Sequence, residues 1–217
     1  MKLILIIIAL LLGACNGGVK STDTLFAEVR KADQCIRNQI INLTKAVTIE
    51  GQTELTDSLI RTSEQLELID TRNISIVDSL LRDGLPKGLA ADSYKTIWLV
   101  IDHAPLDKQE AYLHLIEQMA ARNIIGKDDY ATLFDRIAMG QDRPQRYGTQ
   151  SVQFGTNEVQ QLHLWPVENP EILDSLRSTV GMSPIVDYLN TLTNITGIKA
   201  QFDATLSIEE IKRLRNM

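Results

Sequence analysis

Residues 98–150 read WLVIDHAPLDKQEAYLHLIEQMAARNIIGKDDYATLFDRIAMGQDRPQRYGTQ. Apolar residues recur at three- and four-residue spacing through most of this stretch, which predicts a series of amphipathic helices. Pro105, Gly126 and Gly140 mark helix ends, because the residue before a proline avoids the helical region and glycine commonly follows a helix. Polar side chains that can bind ligands or move protons are denser here than elsewhere in the chain. The stretch therefore predicts both a helical core and the position of a site.

The patterns on either side of this stretch complete the predicted fold. Upstream, apolar spacing predicts helices from Asp23 to about Val47 and from Leu55 to Leu80. Downstream, residues 150–154 and 159–165 alternate between apolar and polar as the two strands of a hairpin do. Cap residues predict three further helices, which begin after Asn169, Ser183 and Ser207. The predicted fold class is mainly α: a single-domain helical bundle with one small β-hairpin after the YGTQ turn.

The N-terminal residues predict a bacterial lipoprotein signal peptide. Lys2 precedes an apolar run of about ten residues, which is shorter than the roughly 20 residues of a membrane-spanning helix. The run ends in Leu12-Gly13-Ala14-Cys15, which resembles the bacterial lipobox, where small residues admit a peptidase and the cysteine thiol is acylated. We expect a signal peptide at 1–14, a lipidated tether at 15–22 and one mainly helical domain at 23–217. An ordinary secretory signal with a chance cysteine is the alternative.

Acylation of Cys15 would anchor the protein to a membrane of the bacterial cell envelope. More than one acyl chain makes such an anchor stable, whereas a single chain is marginal. Asn16 is not the aspartate of the inner-membrane retention signal, so the outer membrane is favoured over the inner one.

The charge and the cysteine content narrow the possible partners and the source of stability. Removal of residues 1–14 takes away Lys2 and no acid, so the formal net charge changes from −6 to −7. Nucleic-acid binding needs a basic face, so we expect no nucleic-acid partner. With Cys15 acylated, Cys35 is the one remaining thiol, so an internal disulfide is excluded. Cys35 lies beside the apolar stripe of the first helix and is expected to be a small core residue.

Several short motifs occur together between about residues 70 and 190. They are Asp70 with Asn73, Gly84-Leu85-Pro86, Trp98 to His103-Ala104, Asp135-Arg136, Gln145 with Tyr147-Gly148-Thr149-Gln150, and a weaker tail of Arg177, Gly181 and Tyr188. The combination resembles an uncharacterised bacterial family, a domain of unknown function with a W…H-A…D-R…Q-x-Y-G-T-Q signature. Asp102 and Pro105 stand where the resemblance leads us to expect glutamine and an acid, so a ligand contacted there would differ in this member. The family implies no activity, so the resemblance locates a site without naming its chemistry.

The candidate ligand-binding residues are His103, Asp135, Arg136, Gln145, Tyr147, Gln150 and Asn73. His103 is the candidate general base, because an imidazole titrates near neutral pH, and Asp135 could orient it. Arg136 could hold a carboxylate or a phosphate through two hydrogen bonds. Asn73 falls on the apolar face of its helix, where either neighbours satisfy its amide or the amide faces an internal site.

Each of these residues also has a purely structural explanation. Asp135 and Arg136 could form an ion pair and a hydrogen-bond network that fix the following loop, and Tyr147-Gly148 could be a turn in which glycine supplies a positive φ. His103 could cap helix carbonyls. As a set, however, the candidates are more than one loop needs, which keeps a binding pocket under consideration.

Several kinds of chemistry lack their usual motifs. The chain contains no G-x-S-x-G nucleophile elbow and no phosphate-cradling glycine loop. The histidines have no ligand spacing, and H-E-x-x-H and C-x-x-C do not occur. Asp102 and His103 are adjacent, so we expect them to point to different sides of the helix. We therefore expect no metal and no cofactor.

Three functions remain open. The favoured one is a membrane-anchored lipoprotein that binds a small polar ligand or an envelope partner near His103, Arg136 and Gln150, because binding needs no nucleophile. The second is a hydrolase or transferase with His103 as general base, so enzymatic activity is left open. The third is a structural scaffold without a pocket. One concave pocket lined by His103, Asp135, Arg136 and Gln150 would exclude the scaffold.

The lipobox makes a direct prediction. We expect Cys15→Ala to leave the precursor without lipid, because the acylated thiol is removed. Metabolic labelling with a radioactive fatty acid measures this, with Cys35→Ala as the control that retains the label. Wild-type labelling of the Cys15→Ala chain would show that the lipobox assignment is wrong.

Overall fold

The computed structural model describes residues 21–155 and 160–215. Cys15, most of the expected tether and the hairpin turn lie outside these residues. The described part of the chain is mainly helical and carries one small sheet, which confirms the predicted fold class. Every helix in this part is too short or too polar to cross a lipid bilayer.

Five helices form a bundle in the described residues 21–140. They are α1 (Thr22–Thr48), α2 (Thr56–Leu81), α3 (Ala91–Asp102), α4 (Leu106–Ala121) and α5 (Lys127–Gly140), with a 3-10 turn at Thr53–Leu55. Helix α3 is central, since it contacts each of the other four helices. Its Ile97 and Ile101 are completely buried in the main apolar core, which residues of all five helices share. Burial of such side chains stabilises each by about 1.5–3 kcal/mol.

The second half packs a three-stranded sheet and short helices against the end of the bundle. Strands β1 (Ser151–Gly155) and β2 (Gln160–Leu164) are antiparallel, with Ser151 opposite Leu164. Strand β3 (Ala200–Gln201) runs parallel to β2. The helical elements are a 3-10 turn (Pro170–Ile172), α6 (Leu173–Thr179), α7 (Ile185–Thr196) and α8 (Ile208–Arg215). The predicted hairpin is confirmed, whereas β3 is too short for alternation to reveal it.

One prediction about the core is wrong. Cys35 is exposed, although its position beside the apolar stripe of α1 predicts burial. Helix α1 buries Phe26, Val29, Asp33 and Ile36. Cys35 follows Asp33 by two positions and so points about 200° away from it around the helix axis. The stripe is narrow, and Cys35 lies outside it.

Candidate functional site

Six ionisable side chains form one connected cluster, which we call the ionic chain. Five of them lie on four helices, and the sixth, His103, directly follows α3. In order of contact its members are Asp70, Arg37, Asp33, His103, Asp102 and Arg136. The cluster forms where α1, α2, α3 and α5 meet. It therefore joins residues that are far apart in the sequence.

His103 lies at the centre of the ionic chain, immediately after the last residue of α3. Its Nδ1 atom is 3.1 Å from Asp33 Oδ1, and its Nε2 atom is 3.9 Å from Asp102 Oδ2. The first distance is a hydrogen bond and the second is too long for one. Asp33 therefore orients the imidazole and leaves the Nε2 edge without a bond to Asp102.

One guanidinium group binds the carboxylate on each side of His103 in the ionic chain. Arg37 donates from Nε to Asp33 Oδ1 at 3.2 Å and from Nη2 to Asp70 Oδ1 at 2.6 Å. Arg136 donates from Nε to Asp102 Oδ1 at 2.9 Å. Hydrogen bonds between charged groups are stronger than neutral ones, so each guanidinium is held in a defined orientation.

The surroundings shift the pKa values of two carboxyl groups in opposite directions. Burial raises the pKa of Asp33, but hydrogen bonds from His103 and Gln34 and the charges of His103 and Arg37 outweigh it and hold the pKa below its ordinary value. Burial raises the pKa of Asp70, because it outweighs the opposing effects of the Arg37 charge and hydrogen bond. The surroundings therefore favour the ionised form of Asp33 and disfavour that of Asp70.

The contacts of His103 differ from those expected. Its carboxylate partner is Asp33, not Asp135, and the carbonyls at the end of α3 accept hydrogen bonds from Gln109 rather than from the imidazole. Asp102 and His103 do not point to opposite sides, since their side chains approach to 3.9 Å. The reason is that α3 ends between them, and His103 occupies the cap position with φ −92° and ψ −2°.

Asp135 organises the loop that contains the YGTQ motif. Its carboxylate is completely buried and accepts the backbone N–H groups of Arg146, Tyr147 and Thr149 at 2.8–3.1 Å. The Thr149 hydroxyl donates a further bond at 3.0 Å. Burial raises the pKa of Asp135, and these donors oppose the shift. The Asp135 side chain thus stabilises the loop, whereas the neighbouring Arg136 belongs to the ionic chain.

Arg177 holds the same loop through its carbonyl groups. Its Nη1 atom donates to the carbonyls of Tyr147 and Gly148 at 2.8 and 3.1 Å, and its Nε atom donates to Ser183 O at 2.6 Å. The guanidinium also lies 4.9 Å from the ring centre of Tyr188, at cation–π distance. The loop is therefore fixed between a buried carboxylate and a buried guanidinium.

The remaining loop candidates bond within the loop or to segments packed against it. Gln145 is fully buried; its Nε2 donates to the carbonyls of Gln150 and Trp165, and its Oε1 accepts from the Gln150 N–H. Gln150 donates to the Thr149 hydroxyl at 3.0 Å. The buried ring of Tyr147 packs edge-on against Phe134. These side chains have structural partners, and none of these hydrogen bonds reaches His103.

Asn73 remains a distinct case. It is buried on α2, one turn after Asp70, and its Nδ2 atom has no hydrogen-bond partner among the described residues. The first of the two explanations, that neighbouring groups satisfy the amide, therefore does not hold at Nδ2. An unpaired buried amide costs about 1–3 kcal/mol, which singles this position out within the bundle.

None of these candidates lines either of two clefts in the described structure. A cleft of about 500 Å³ lies between the end of α5, β1 and α8, with Trp165, Asp142 and Lys212 in its wall. A smaller cleft of about 150 Å³ lies between the end of α1 and the end of α7. Neither is the concave pocket that the sequence analysis anticipated. Within the described residues, His, Cys, Asp and Glu side chains form no group of three that could hold a metal ion.

Residues 22–201 match the model of a family whose description is "Family of unknown function (DUF6624)". The chain belongs to this family. The resemblance inferred from residues 70–190 is confirmed and extends at both ends. The matched span begins with α1 and ends with β3, so it includes the whole ionic chain and the YGTQ loop. Comparisons with curated proteins and with solved structures found no match.

The DUF6624 span thus contains two members of the ionic chain that sequence reasoning missed, Asp33 and Arg37. A signal for Asp33 was available. It lies four residues after Val29 and three before Ile36, and both of these are buried, so a carboxylate interrupts the apolar stripe of α1. Arg37 gave a weaker signal, because an arginine four residues after an aspartate is common on exposed helix faces.

The conformation of Gly148 predicts a large effect of a single methyl group. Gly148 has φ +66°, and an added Cβ would lie 3.3–3.4 Å from Ile185, Leu164 and Leu173. We expect Gly148→Ala to lower the free energy of unfolding by about 1–2 kcal/mol for the left-handed backbone and by a further 1–3 kcal/mol for overpacking. Urea denaturation measures the loss. Gly88→Ala is the matched control, because its φ is +77° and nothing lies within 4 Å of its Cβ. Equal losses in the two variants would show that the loop is loosely packed.

The lowered pKa of Asp33 predicts a pH-dependent contribution to stability. A folded-state pKa below the ordinary 3.8 means that this stabilisation is complete above that pH and is lost as the pH falls through the folded value. We expect Asp33→Asn to lower the free energy of unfolding by about 1–3 kcal/mol at pH 7, and the difference from wild type to shrink below about pH 4. Denaturation curves between pH 7 and pH 3 measure it. Asp92→Asn, at an exposed ion pair with Arg30, should change little. A difference for Asp33→Asn that persists at pH 3 would contradict the electrostatic explanation.

Proposed function

We propose that the protein is a lipoprotein anchored through Cys15 to the bacterial cell envelope, most simply at the outer membrane. Its helical domain binds a small polar ligand or an envelope partner at the ionic chain. The DUF6624 family has no established function, so the proposal is based on the site. The single observation that carries it is the position of His103 between Asp33 and Asp102, with Arg136 on the second carboxylate.

The cost of the ionic chain supports a role beyond stability. Buried ion pairs lose most of their Coulomb energy to desolvation, and apolar residues of similar size are often as stabilising. Here three carboxylates, two guanidiniums and an imidazole occupy the junction of four helices. Clusters of ionisable groups with shifted pKa values are typical of functional sites, and Asp33 and Asp70 are both shifted. The loop around Asp135 is different, since its hydrogen bonds already explain its residues.

A second candidate is a hydrolase or transferase that uses His103 as general base. The observation that favours it is the hydrogen bond between His103 Nδ1 and Asp33, because a proton on Nδ1 leaves Nε2 to accept one from a substrate or from water. Asp33 takes the orienting role that the sequence analysis gave to Asp135. Water in a hydrolase, or the acceptor substrate in a transferase, would serve as the nucleophile, since the sequence contains no G-x-S-x-G nucleophile elbow.

A ligand screen tests the binding proposal. Native mass spectrometry of the purified protein and a thermal-shift screen of polar metabolites should find a compound that raises the melting temperature. At about one hundred times its Kd, a ligand stabilises the fold by about 2.7 kcal/mol, or roughly 5–10 °C for a chain of this size. We expect His103→Gln and Arg136→Lys to reduce the shift and Arg122→Ala, an exposed arginine at the end of α4, to retain it.

The outcomes separate the candidate functions. A bound compound that wild type converts to a new mass, and His103→Gln does not, would favour the enzyme. A compound that binds without conversion supports the binding protein. If the native protein carries no ligand and no compound gives a shift that depends on His103 or Arg136, binding at the ionic chain is rejected and the scaffold function remains.

A further inference from the structure

The charges of the ionic chain are ordered by depth. The carboxylates of Asp33 and Asp102 are 1% and 4% exposed, whereas the side chains of His103, Arg37 and Arg136 are 17%, 23% and 33% exposed. The third carboxylate of the ionic chain, that of Asp70, is 23% exposed, as is its guanidinium partner Arg37. A ligand that approaches the centre of the chain from solvent therefore meets N–H donors before it meets carboxylate oxygens.

Arg136 retains most of its hydrogen-bonding capacity. Among the described residues its guanidinium has one hydrogen-bond partner, Asp102, which it contacts through Nε. An arginine has five N–H donors, and the two terminal nitrogens form a planar fork that matches a carboxylate or a phosphate. Because the buried Asp102 already orients the guanidinium, little side-chain entropy is left to lose when the fork binds a ligand.

His103 lies against the same carboxylate as Arg136. Its Nε2 edge is 3.9 Å from Asp102 Oδ2, and Arg136 Nε is 2.9 Å from Asp102 Oδ1. The two groups thus lie beside the two oxygens of one carboxylate, which makes both of them candidates to contact the same ligand. When protonated, His103 donates from Nε2 and adds a second donor to the fork of Arg136.

We propose that the ligand of the ionic chain carries an oxyanion, a carboxylate or phosphate group, bound by the Arg136 fork and by His103 Nε2. This inference rests on the proposed binding function and narrows it to one ligand chemistry. Without residues 1–14 the protein carries a formal charge of −7, so long-range attraction does not bring an anion to the site. Recognition therefore depends on these short-range donors, and a change in their geometry should weaken it strongly.

Imidazole NMR signals offer a test that identifies the site. The chain has three histidines, so selective ¹³C labelling of the mature protein, untagged and in non-ionic detergent, should give three Cε1–H signals. Titration with sodium phosphate, and separately with sodium acetate, should shift the His103 signal to saturation. The signals of His114 and His163, which lie on α4 and β2, serve as internal controls. Sodium chloride at equal ionic strength controls for salt, and the two anions show whether phosphate or carboxylate is preferred.

Two variants test the role of the fork. Arg136→Lys keeps a positive charge beside Asp102 but removes the planar pair of donors, so we expect at least about a tenfold weaker binding of the preferred anion. Arg122→Ala should leave the titration unchanged. Calorimetry of the same titrations provides the affinities, and denaturation curves confirm that each variant is folded.

The possible results distinguish this inference from the proposed function. A saturable shift confined to His103 and weakened in Arg136→Lys supports the oxyanion ligand. If neither anion shifts the His103 signal, while the metabolite screen finds an uncharged ligand that requires Arg136, the oxyanion is rejected and the binding function stands. If both the titrations and the screen are negative, both are rejected. Binding unchanged in Arg136→Lys also overturns the role given to the fork.

Discussion

The structure depends on a buried carboxylate and a buried guanidinium that both bind the backbone of one loop. Asp135 on α5 accepts N–H groups of residues 146–149, and Arg177 on α6 donates to carbonyls of the same segment. A buried ion is tolerated only where hydrogen bonds replace its water, and here the peptide groups of the loop do so for both ions. The loop is thereby fixed, and it joins the five-helix bundle to the sheet and the short helices that follow.

Asp135 and Arg136 connect this loop to the ionic chain. Consecutive residues on a helix point about 100° apart, so one turn of α5 can direct a carboxylate to the loop and a guanidinium to Asp102. Asp135 fixes the loop through hydrogen bonds, as the structural explanation predicts, but the ion pair of Arg136 is with Asp102. Because both side chains leave the same helical turn, the position of Arg136 depends on the loop that holds Asp135. The D-R motif thus serves the fold and the proposed site together.

Much of the fold could be predicted from the sequence because burial on a helix or strand repeats at short range. The spacing of Phe26, Val29 and Ile36 indicates α1, and alternation around residue 155 indicates the hairpin. The candidate site was predicted less well. His103 and Arg136 were singled out for their chemistry, but Asp33 was overlooked, although a carboxylate within an apolar stripe is itself a signal. The predicted burial of Cys35 was wrong because its exposure depends on the width of the contact between α1 and the neighbouring helices.

The sequence by itself determined the helices, the hairpin and the residues whose chemistry could form a site, because these follow from local periodicity and side-chain type. Tertiary structure alone decided which charges meet. Asp33 and His103 are 70 positions apart, and both Asp33 and Asp135 were available partners for the imidazole. The packing of α1 against the end of α3 selects Asp33, and the loop engages Asp135. Electrostatic pairing has no sequence period, so only the approach of the helices in space determines the partner of each charge.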